Sequence, residues 1–430
     1  MFRGKTILLC AGLIAGSLSV KAQLFYNSGA NVAVTGGGVL YIDGATENAG
    51  GLFSNAGTTT IIGYFRNGAL ATGGSSTGIY KVFGDWENNS TFTADQSSVI
   101  LNGNAQQITG SQITTFYQLE LQSAGSVKSQ TLDANVSELL KLNDCELATK
   151  DYKMFVQNVS SAAIARNNGF VSSTGPGRLI RSTNSTDSYL FPTGWNDNNT
   201  IYYRPVQISP SVTDAQSFSV RMAYGDATLE GYDVSTKSGI VTRVNPKFFH
   251  LIKQIGGTTP SALSIFYDQV NDGLWSSIGR WQTVPEWEDL MTTTLTAGSP
   301  LSYRTKGDWI DNGDEPHALI NSKDSFNVWN FPNVFAPGTS DPNNSSFHII
   351  DNLNLVIVQD MKIFDRWGEK VFDSQSDGTT CTFGINTTPC WNGYYRNKLQ
   401  GMGNYVYVAD IKVISTGDTK HATGNLSLIW

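Results

Sequence analysis

A repeat with a period of about 20 residues constrains the N-terminal part of this chain more than any other feature. Residues 44–48, 63–67 and 84–88 share the pattern Gly-x-x-x-Asn, with starts 19 and 21 residues apart. Short β-branched runs that end in Gly accompany the copies. This period suits one coil of a β-solenoid, and Gly and Asn tolerate the backbone of its corners. We therefore predict a solenoid-like region over residues 23–175; a meandering β-sandwich with similar hairpin spacing is the alternative.

Composition predicts an all-β protein and excludes some partners. Only 15% of the residues are charged and 43 are glycine, whereas long surface helices need many Glu, Lys and Arg side chains. Outside residues 1–22, 26 basic and 36 acidic side chains leave a net charge of −10. Such a surface does not suit nucleic acid or an anionic membrane as a partner.

The first 22 residues have the pattern of a signal peptide. Arg3 and Lys5 precede the apolar stretch 7–18, and small residues follow at 20–22. The stretch is too short to span a bilayer, and no later segment reaches a membrane-spanning length. We expect export from the cytoplasm and a mature chain that starts at Gln23 and has no transmembrane segment.

Two further domains are expected after residue 175. The small residues at 172–177 mark a boundary, and residues 176–325 alternate strand-like runs with turns, as in a β-sandwich. A short helix is predicted over residues 285–291. Residues 326–430 also carry strand-like runs, and we predict a second, immunoglobulin-like antiparallel sandwich there.

Cysteine spacing predicts one disulfide. Cys381 and Cys390 are close in sequence, whereas Cys145 stands alone. Export through an oxidising compartment favours a Cys381–Cys390 bridge, which would stabilise the fold by about 2–3 kcal/mol on the chain-entropy model. A zinc site would need four clustered ligands, and the sequence offers no such cluster.

The C-terminal domain resembles a known family through five motifs in order. They are Pro-Asn-x-Phe-x-Pro at 332–337, Asp-Arg-Trp-Gly at 365–368, Trp-Asn-Gly at 391–393, Gly-x-Tyr-x-Tyr at 403–407 and a closing strand at 424–429. This pattern resembles the gliding-motility-associated C-terminal domain, the type B sorting domain of the type IX secretion system. The signature residues are Pro332, Asn333, Phe335, Pro337, Asp365, Arg366, Trp367, Gly368, Trp391, Asn392, Gly393, Gly403, Tyr405 and Tyr407.

The resemblance implies a route and a partner. The chain would cross the inner membrane by its signal peptide, and a type IX translocon would then carry it to the outer cell surface or the medium. We also expect Trp367→Ala to unfold the domain, at a cost of ~3–5 kcal/mol if the ring is buried.

Few residues suggest catalysis, and we predict that the chain is not an enzyme and binds no cofactor. Residues 74–78 fit Gly-x-Ser-x-Gly, but a strand rather than a helix follows, so a solenoid corner is the better interpretation. The histidines have no ligand or base partner nearby in sequence. They are His250, His317, His348 and His421.

Two clusters in the middle domain leave alternatives open. Asp308, Asp311, Asp314 and Glu315 could hold calcium, although Asn312-Gly313 between them also marks an ordinary hairpin turn. A group of aromatic residues would suit stacking on surface glycans or, alternatively, packing in a sandwich core. The group consists of Tyr267, Trp275, Trp281, Trp287, Tyr303 and Trp309.

The combined prediction is a secreted or cell-surface, adhesin-like or structural protein without catalytic activity. The alternative is an extracellular protein that binds or degrades polysaccharide, because β-solenoids also form the scaffold of lyases and hydrolases.

Overall fold

The structure, a computed structural model, confirms the all-β prediction. It describes residues 6–7, 24–71, 76–291, 293–313, 316–322, 329–341, 344–351, 356–383, 386–413 and 419–430. Strands account for 59% of the chain and helices for 3%. Among the described residues no helix is long and apolar enough to cross a membrane.

The N-terminal region is a β-solenoid of about seven coils. Its strands are β1 (Thr6–Ile7), β2 (Leu24–Val34), β3 (Val39–Ile42), β4 (Ala45–Asn55), β5 (Thr58–Ile61), β6 (Phe65–Ala71), β7 (Ile79–Val82), β8 (Trp86–Asn88), β9 (Ser98–Leu101), β10 (Ala105–Gly110), β11 (Thr114–Leu121), β12 (Val127–Gln130), β13 (Ala134–Asn143), β14 (Glu146–Ala148), β15 (Lys153–Val156), β16 (Ile164–Arg166), β17 (Phe170–Ser172) and β18 (Arg178–Thr183).

Parallel pairing distinguishes the solenoid from a meandering sandwich. The strands β2, β4, β6, β8, β10, β12, β14 and β17 stack in one sheet, and the strands between them stack in a second. Neighbours within each stack run parallel, about 20 residues apart. In the second sheet the positions Thr59, Tyr80, Val99 and Leu119 are in register and fully buried. These repeated inward positions form the core that a single coil could not bury.

The Gly-x-x-x-Asn repeat has a direct structural cause. The side chains of Asn27, Asn48, Asn67 and Asn88 stack into a buried ladder, in which each amide nitrogen donates to the next amide oxygen at 2.7, 3.2 and 2.9 Å. The glycines mark where coils touch: a Cβ on Gly63 would lie 2.7 Å from the Ala45 Cα. The repeat is therefore kept by hydrogen bonding inside the core and by close backbone approach at the corners.

The solenoid sheet continues into an antiparallel region. Its elements are β19 (Tyr189–Phe191), β20 (Gly194–Asp197), β21 (Thr200–Tyr203), β22 (Val206–Pro210), β23 (Gln216–Tyr224), a 3₁₀ helix (Ala227–Glu230), β24 (Val241–Val244), β25 (Phe248–Gly256), β26 (Ser261–Tyr267), α1 (Gln269–Asp272), β27 (Ser277–Trp281), β28 (Trp287–Asp289), β29 (Thr293–Thr296), β30 (Ser302–Trp309) and β31 (Pro316–Ser322).

The last solenoid strand joins the two regions through one sheet. β18 pairs in parallel with β15 on one side and antiparallel with β23 on the other. The same sheet continues through β25, β31, β27 and β28. A separate five-stranded sheet has the order β19-β22-β26-β30-β29. Strand pairing therefore continues from the solenoid into the antiparallel region without a break near residues 172–177, where the sequence suggests a boundary.

The helix predicted over residues 285–291 is wrong. Residues Trp287–Asp289 form β28, which pairs antiparallel with β27. Trp281 and Trp287 lie opposite each other with ring centroids 5.8 Å apart, and Arg280 forms an ion pair with Glu288. These cross-strand side-chain contacts stabilise a hairpin over the local helical tendency of the segment.

The chain divides into two compact units. The N-terminal unit comprises Met1–Asp268 and Ser277–Ile320, and the C-terminal unit comprises Gln269–Ser276 and Asn321–Trp430. The described elements of the latter after residue 322 are β32 (Val334–Phe335), β33 (Phe347–His348), β34 (Val356–Phe364), β35 (Lys370–Asp373), α2 (Ser374–Asp377), β36 (Thr380–Phe383), β37 (Asn386–Trp391), β38 (Tyr394–Tyr395), β39 (Lys398–Leu399), β40 (Gly403–Val413) and β41 (Thr419–Leu428).

The C-terminal unit is a mainly antiparallel β fold around one apolar core. Its larger sheet has the order β32-β41-β40-β34-β35, and a second sheet has the order β33-β37-β36. Side chains from both sheets meet in the core, among them Phe335, Ile363 and Ile411 from the first and Phe347 and Trp391 from the second. This arrangement places the predicted signature residues within one small unit.

Candidate functional site in the C-terminal unit

Part of the family signature holds the C-terminal core together. The buried Trp391 ring lies 5.4 Å from the ring of Phe335 and 5.0 Å from that of Tyr405, between centroids. Its Nε1 donates to the carbonyl oxygen of Tyr394 at 3.0 Å, so its polar atom is satisfied. Tyr407 packs on Phe331 at 4.7 Å. These signature aromatics act as structural residues.

The Asp-Arg-Trp-Gly motif is a fixed turn between β34 and β35. The Asp365 carboxylate oxygen Oδ1 accepts from the backbone N–H groups of Trp367 and Glu369 at 2.9 and 2.8 Å. The Asp365 backbone closes the turn with bonds to Gly368 and Glu369. Gly368 has a φ of +81°, a backbone conformation that favours glycine. Each residue of the motif except the tryptophan therefore has a local role in the turn or beside it.

Trp367 projects from this turn into solvent. Its exposed fraction is 85%, the opposite of the expected core position. The ring is not buried, so the condition on which Trp367→Ala was expected to unfold the domain is not met, and an exposed ring contributes little to core packing. The core position was expected because large aromatic residues in strand-rich sequence are usually buried, whereas Trp367 lies in an exposed turn that the Asp365 bonds hold.

All five motifs meet at one end of the larger sheet. Arg366 reaches β40, where a Cβ on Gly403 would lie 2.8 Å from the Arg366 Nη2. Gly403 pairs with Leu428, and Leu428 pairs with Phe335 of the first motif. Gly393 lies against the same place, since a Cβ there would be 2.8 Å from Pro337 Cγ and 3.3 Å from Leu428 Cδ1. Residues almost 100 positions apart thus form one end of the fold.

Exposed apolar side chains are found at this end. Besides Trp367, they are Met402, which precedes Gly403, and Ile429 and Trp430, which come directly after Leu428. We call these four residues the Trp367 patch. Asp365, Arg366 and Glu369, which carry charges of both signs, lie in the same turn as the tryptophan. Two further signature residues make bonds within the unit. The Asn392 side chain accepts from the Tyr394 N–H, and the carbonyl of Asn333, next to Pro332 in the chain, accepts from the Ser427 N–H.

The disulfide predicted from sequence is present in the structure. Cys381 and Cys390 are bonded, with their Cα atoms 5.7 Å apart, across the β36–β37 hairpin. Cys390 is fully buried and pairs in register with His348 of β33. The bridge therefore cross-links the two strands of this hairpin, of which β37 is the central strand of the smaller sheet. Cys145 is a buried free thiol.

The candidate calcium ligands have other partners. The carboxylate of Asp308 lies 2.8 Å from Lys306 Nζ, and this ion pair lowers the pKa of Asp308. Asp311 accepts from the backbone N–H groups of Gln254 and Gly313. Asp314 and Glu315 lie outside the described residues. Among the residues that the structure describes, no group of three or more His, Cys, Asp or Glu side chains is placed to hold a metal ion.

The histidines and the serine considered for catalysis have separate local partners in the structure. His250 is buried and donates from Nε2 to the Arg204 carbonyl at 2.8 Å, and burial lowers its pKa to about 4. His317 accepts from Trp309 Nε1 at 2.9 Å through its Nε2. Ser76 of the Gly-x-Ser-x-Gly segment is buried against the Tyr80 hydroxyl, 2.7 Å away. These groups serve packing rather than a common reaction centre.

The aromatic residues named from sequence are mostly core residues. Tyr267, Trp275, Trp287 and Trp309 are at most 2% exposed, which excludes them as a sugar-stacking surface. Sequence inspection missed a different aromatic group, formed by Trp195, Tyr202 and Tyr224 beside the β20–β21 hairpin. The centroid of the Tyr224 ring lies 5.7 Å from that of Trp195 and 4.8 Å from that of Tyr202, and all three side chains are half-buried. In the sequence, the turn-forming segment Trp-Asn-Asp-Asn-Asn at 195–199 could have indicated a hairpin with an aromatic residue beside its tip.

Comparison with known proteins identifies the C-terminal unit. Residues 329–428 match the family model of the CHU_C type IX secretion signal domain. The chain therefore carries a type IX sorting domain, which implies export to the cell surface or the extracellular space. No curated protein and no solved structure gives a match.

Proposed function

We propose that this chain is a non-catalytic, adhesin-like or structural protein that the type IX secretion system delivers by means of its C-terminal unit. The observation that carries the proposal is the combination of that sorting domain with an N-terminal unit whose reactive side chains are used in packing. In the described part of the N-terminal unit, His250, His317 and Cys145 are all at most 1% exposed. A substrate in solution would reach neither an imidazole nor a thiol there.

The carboxylates of the N-terminal unit also argue for a non-catalytic role. A charged cleft contains Glu288, Asp289 and Asp308. Glu288 is paired with Arg280 at 2.5 Å, and Asp308 with Lys306 at 2.8 Å. A glycoside hydrolase needs one carboxyl that stays protonated until it donates to the leaving group. The lowered pKa of Asp308 is the opposite of that requirement.

Export is tested by deletion of residues 326–430 in a host that has the type IX machinery. We expect the signal peptide to bring the truncated chain to the periplasm, where it stays, while the full chain reaches the surface or the medium. Fractionation followed by immunoblotting measures both pools. A truncated chain that leaves the cell at the full-length level would refute the assigned route.

The lack of catalysis is tested on the purified full chain. It is incubated with a panel of acidic and neutral polysaccharides, and new reducing ends and unsaturated uronic products are measured. We expect no turnover above a heat-denatured control. Turnover of any one substrate would replace the proposal with the alternative of a polysaccharide-degrading enzyme.

Glycan binding without catalysis is the second candidate. It is supported by the rings of Trp195, Tyr202 and Tyr224, which lie beside the polar side chains of Asn196 and Asp197 at the surface. Half-exposed rings next to amides and carboxylates suit the flat apolar faces and hydroxyl groups of sugars. On a glycan array, Trp195→Ala should abolish any signal that the full chain gives, whereas Leu70→Ala, at another exposed apolar side chain, should leave it unchanged.

A further inference from the structure

We propose that the Trp367 patch is the surface by which the type IX machinery binds the C-terminal unit, with the Trp367 ring inserted in an apolar pocket of a translocon protein. This inference rests on the proposed export route and adds the contact itself. The family match identifies a secretion signal domain, but it does not say which of its surfaces is bound.

Trp367 differs in exposure from Trp391, a tryptophan in the core of the same unit. Trp391 is 1% exposed and contacts Phe335 and Tyr405, whereas Trp367 is 85% exposed. A large apolar ring held in water gains free energy when it is buried in a partner, and tryptophan is among the residues that most often dominate binding energy. The folded unit itself gains little from this side chain.

The turn holds the backbone of Trp367 in a fixed conformation. Two backbone N–H groups, those of Trp367 and Glu369, are bound by the Asp365 carboxylate, and Arg366 lies against Gly403. A backbone that is already ordered loses less entropy on binding than a flexible loop does. The arrangement therefore favours a specific pocket over a loose apolar contact.

Further apolar area lies at the same end of the sheet. Met402, Ile429 and Trp430 are each about half-exposed or more, and the Gly403–Leu428 pair places their two chain segments side by side. Apolar centres surrounded by polar residues are typical of protein interfaces. Asp365, Arg366 and Glu369 supply a border of both charge signs. That border suits a protein pocket better than an anionic lipid surface, which would favour basic residues alone.

The test uses the full chain in a type IX-competent host and measures the exported fraction after a pulse of labelling. We expect Trp367→Ala to lower the export rate at least tenfold. Ile357→Ser is the matched control, because Ile357 is a 53% exposed apolar residue at the far end of β34, where its strand neighbour Val356 pairs with Val413. It should be exported like the wild type. Thermal unfolding of the purified variants should stay within about 2 °C of the wild type.

The outcomes separate this inference from the export proposal. If Trp367→Ala is exported at the wild-type rate, the patch is not the binding surface, and the export proposal is unaffected. If the wild-type chain is not exported, or if the chain is exported without residues 326–430, the export proposal itself is refuted. If Trp367→Ala unfolds, Met402→Ser is tested in its place, and export of Met402→Ser at the wild-type rate would refute the patch as the binding surface. Flotation of the full chain, but not Trp367→Ala, with vesicles of phosphatidylethanolamine and phosphatidylglycerol would identify a lipid surface and also refute the proposal.

Discussion

The buried asparagine ladder is the feature of the solenoid most open to a quantitative test. Asn67 is 3% exposed and donates from Nδ2 to Asn88 Oδ1 at 2.9 Å and to the Thr91 carbonyl at 3.0 Å. Asn67→Asp keeps the size of the side chain but replaces this donor by an oxygen. Two acceptors then lose this donor and face another oxygen: Asn88 Oδ1, which is buried and keeps only the Ser90 N–H at 3.4 Å, and the carbonyl of the exposed Thr91.

The expected destabilisation is worked out from these two bonds. An unsatisfied buried polar group costs about 1–3 kcal/mol, so the two buried groups, Asn88 Oδ1 and the introduced carboxylate, together give ~2–6 kcal/mol. A domain has only about 5–15 kcal/mol of stability, so this loss is a large fraction of the total. No cavity forms, and the effect therefore measures hydrogen bonding rather than packing.

Urea unfolding of the full chain, followed by far-UV circular dichroism, provides the assay. Asn31→Asp is the control, since Asn31 is exposed on the first coil and the charge change is the same. The penalty of Asn67→Asp should shrink as the pH falls, because the protonated carboxyl regains one donor. An unfolding midpoint no lower than that of the Asn31→Asp control at pH 7 would refute the reasoning.

Three further predictions concern other parts of the chain. Burial lowers the pKa of His250, which lies beside Arg204 and opposite His317, to about 4, so at this site only the unfolded chain binds a proton between pH 6.5 and 4. Stability should therefore fall by about 3 kcal/mol as the pH drops through that window, and His250→Asn should reduce the slope in urea titrations to the part that His348, whose pKa burial also lowers, contributes. Reduction of Cys381–Cys390 should cost the C-terminal unit about 2–3 kcal/mol, seen as a lower unfolding midpoint in dithiothreitol that Cys381→Ser/Cys390→Ser reproduces without reductant. Trp391→Ala should destabilise the same unit by ~3–5 kcal/mol in calorimetry, and a loss below 1 kcal/mol would contradict its place in the core.

The sequence contains enough information to predict the solenoid because the coils repeat the same physical constraints. Asn48, Asn67 and Asn88 each occupy the ladder, and Gly63 and Gly84 each lie against the coil before, so the pattern recurs once per coil over the first coils. The change of β18 from parallel to antiparallel pairing has no such signature. Its partners β15 and β23 are chosen by the whole sheet, not by the local sequence of residues 178–183.

The candidate site shows the same division between local and non-local information. The Asp365–Gly368 turn and its role as a family motif are visible in four residues. The direction of Trp367 is not, because a pattern of apolar residues predicts burial and contains nothing about where a turn projects. The meeting of Arg366 with Gly403, and of Gly393 with Leu428, depends on strand pairing across up to 37 residues and on the packing of loops.

Because the Trp367 patch is assembled by strand pairing, its recognition requires a folded C-terminal unit. Trp367, Met402 and Trp430 are distant in sequence, and the Gly403–Leu428 pair and the Arg366 contact bring their segments to one end. An unfolded chain would present these side chains separately, and no single one of them would bury the area of an interface. Trp391→Ala and Trp367→Ala should therefore impair export in different ways. Trp391→Ala removes a core side chain that a partner could not touch, so it should lower export only at temperatures where the unit is partly unfolded. Trp367→Ala leaves the fold intact and removes the contact, so it should lower export at every temperature.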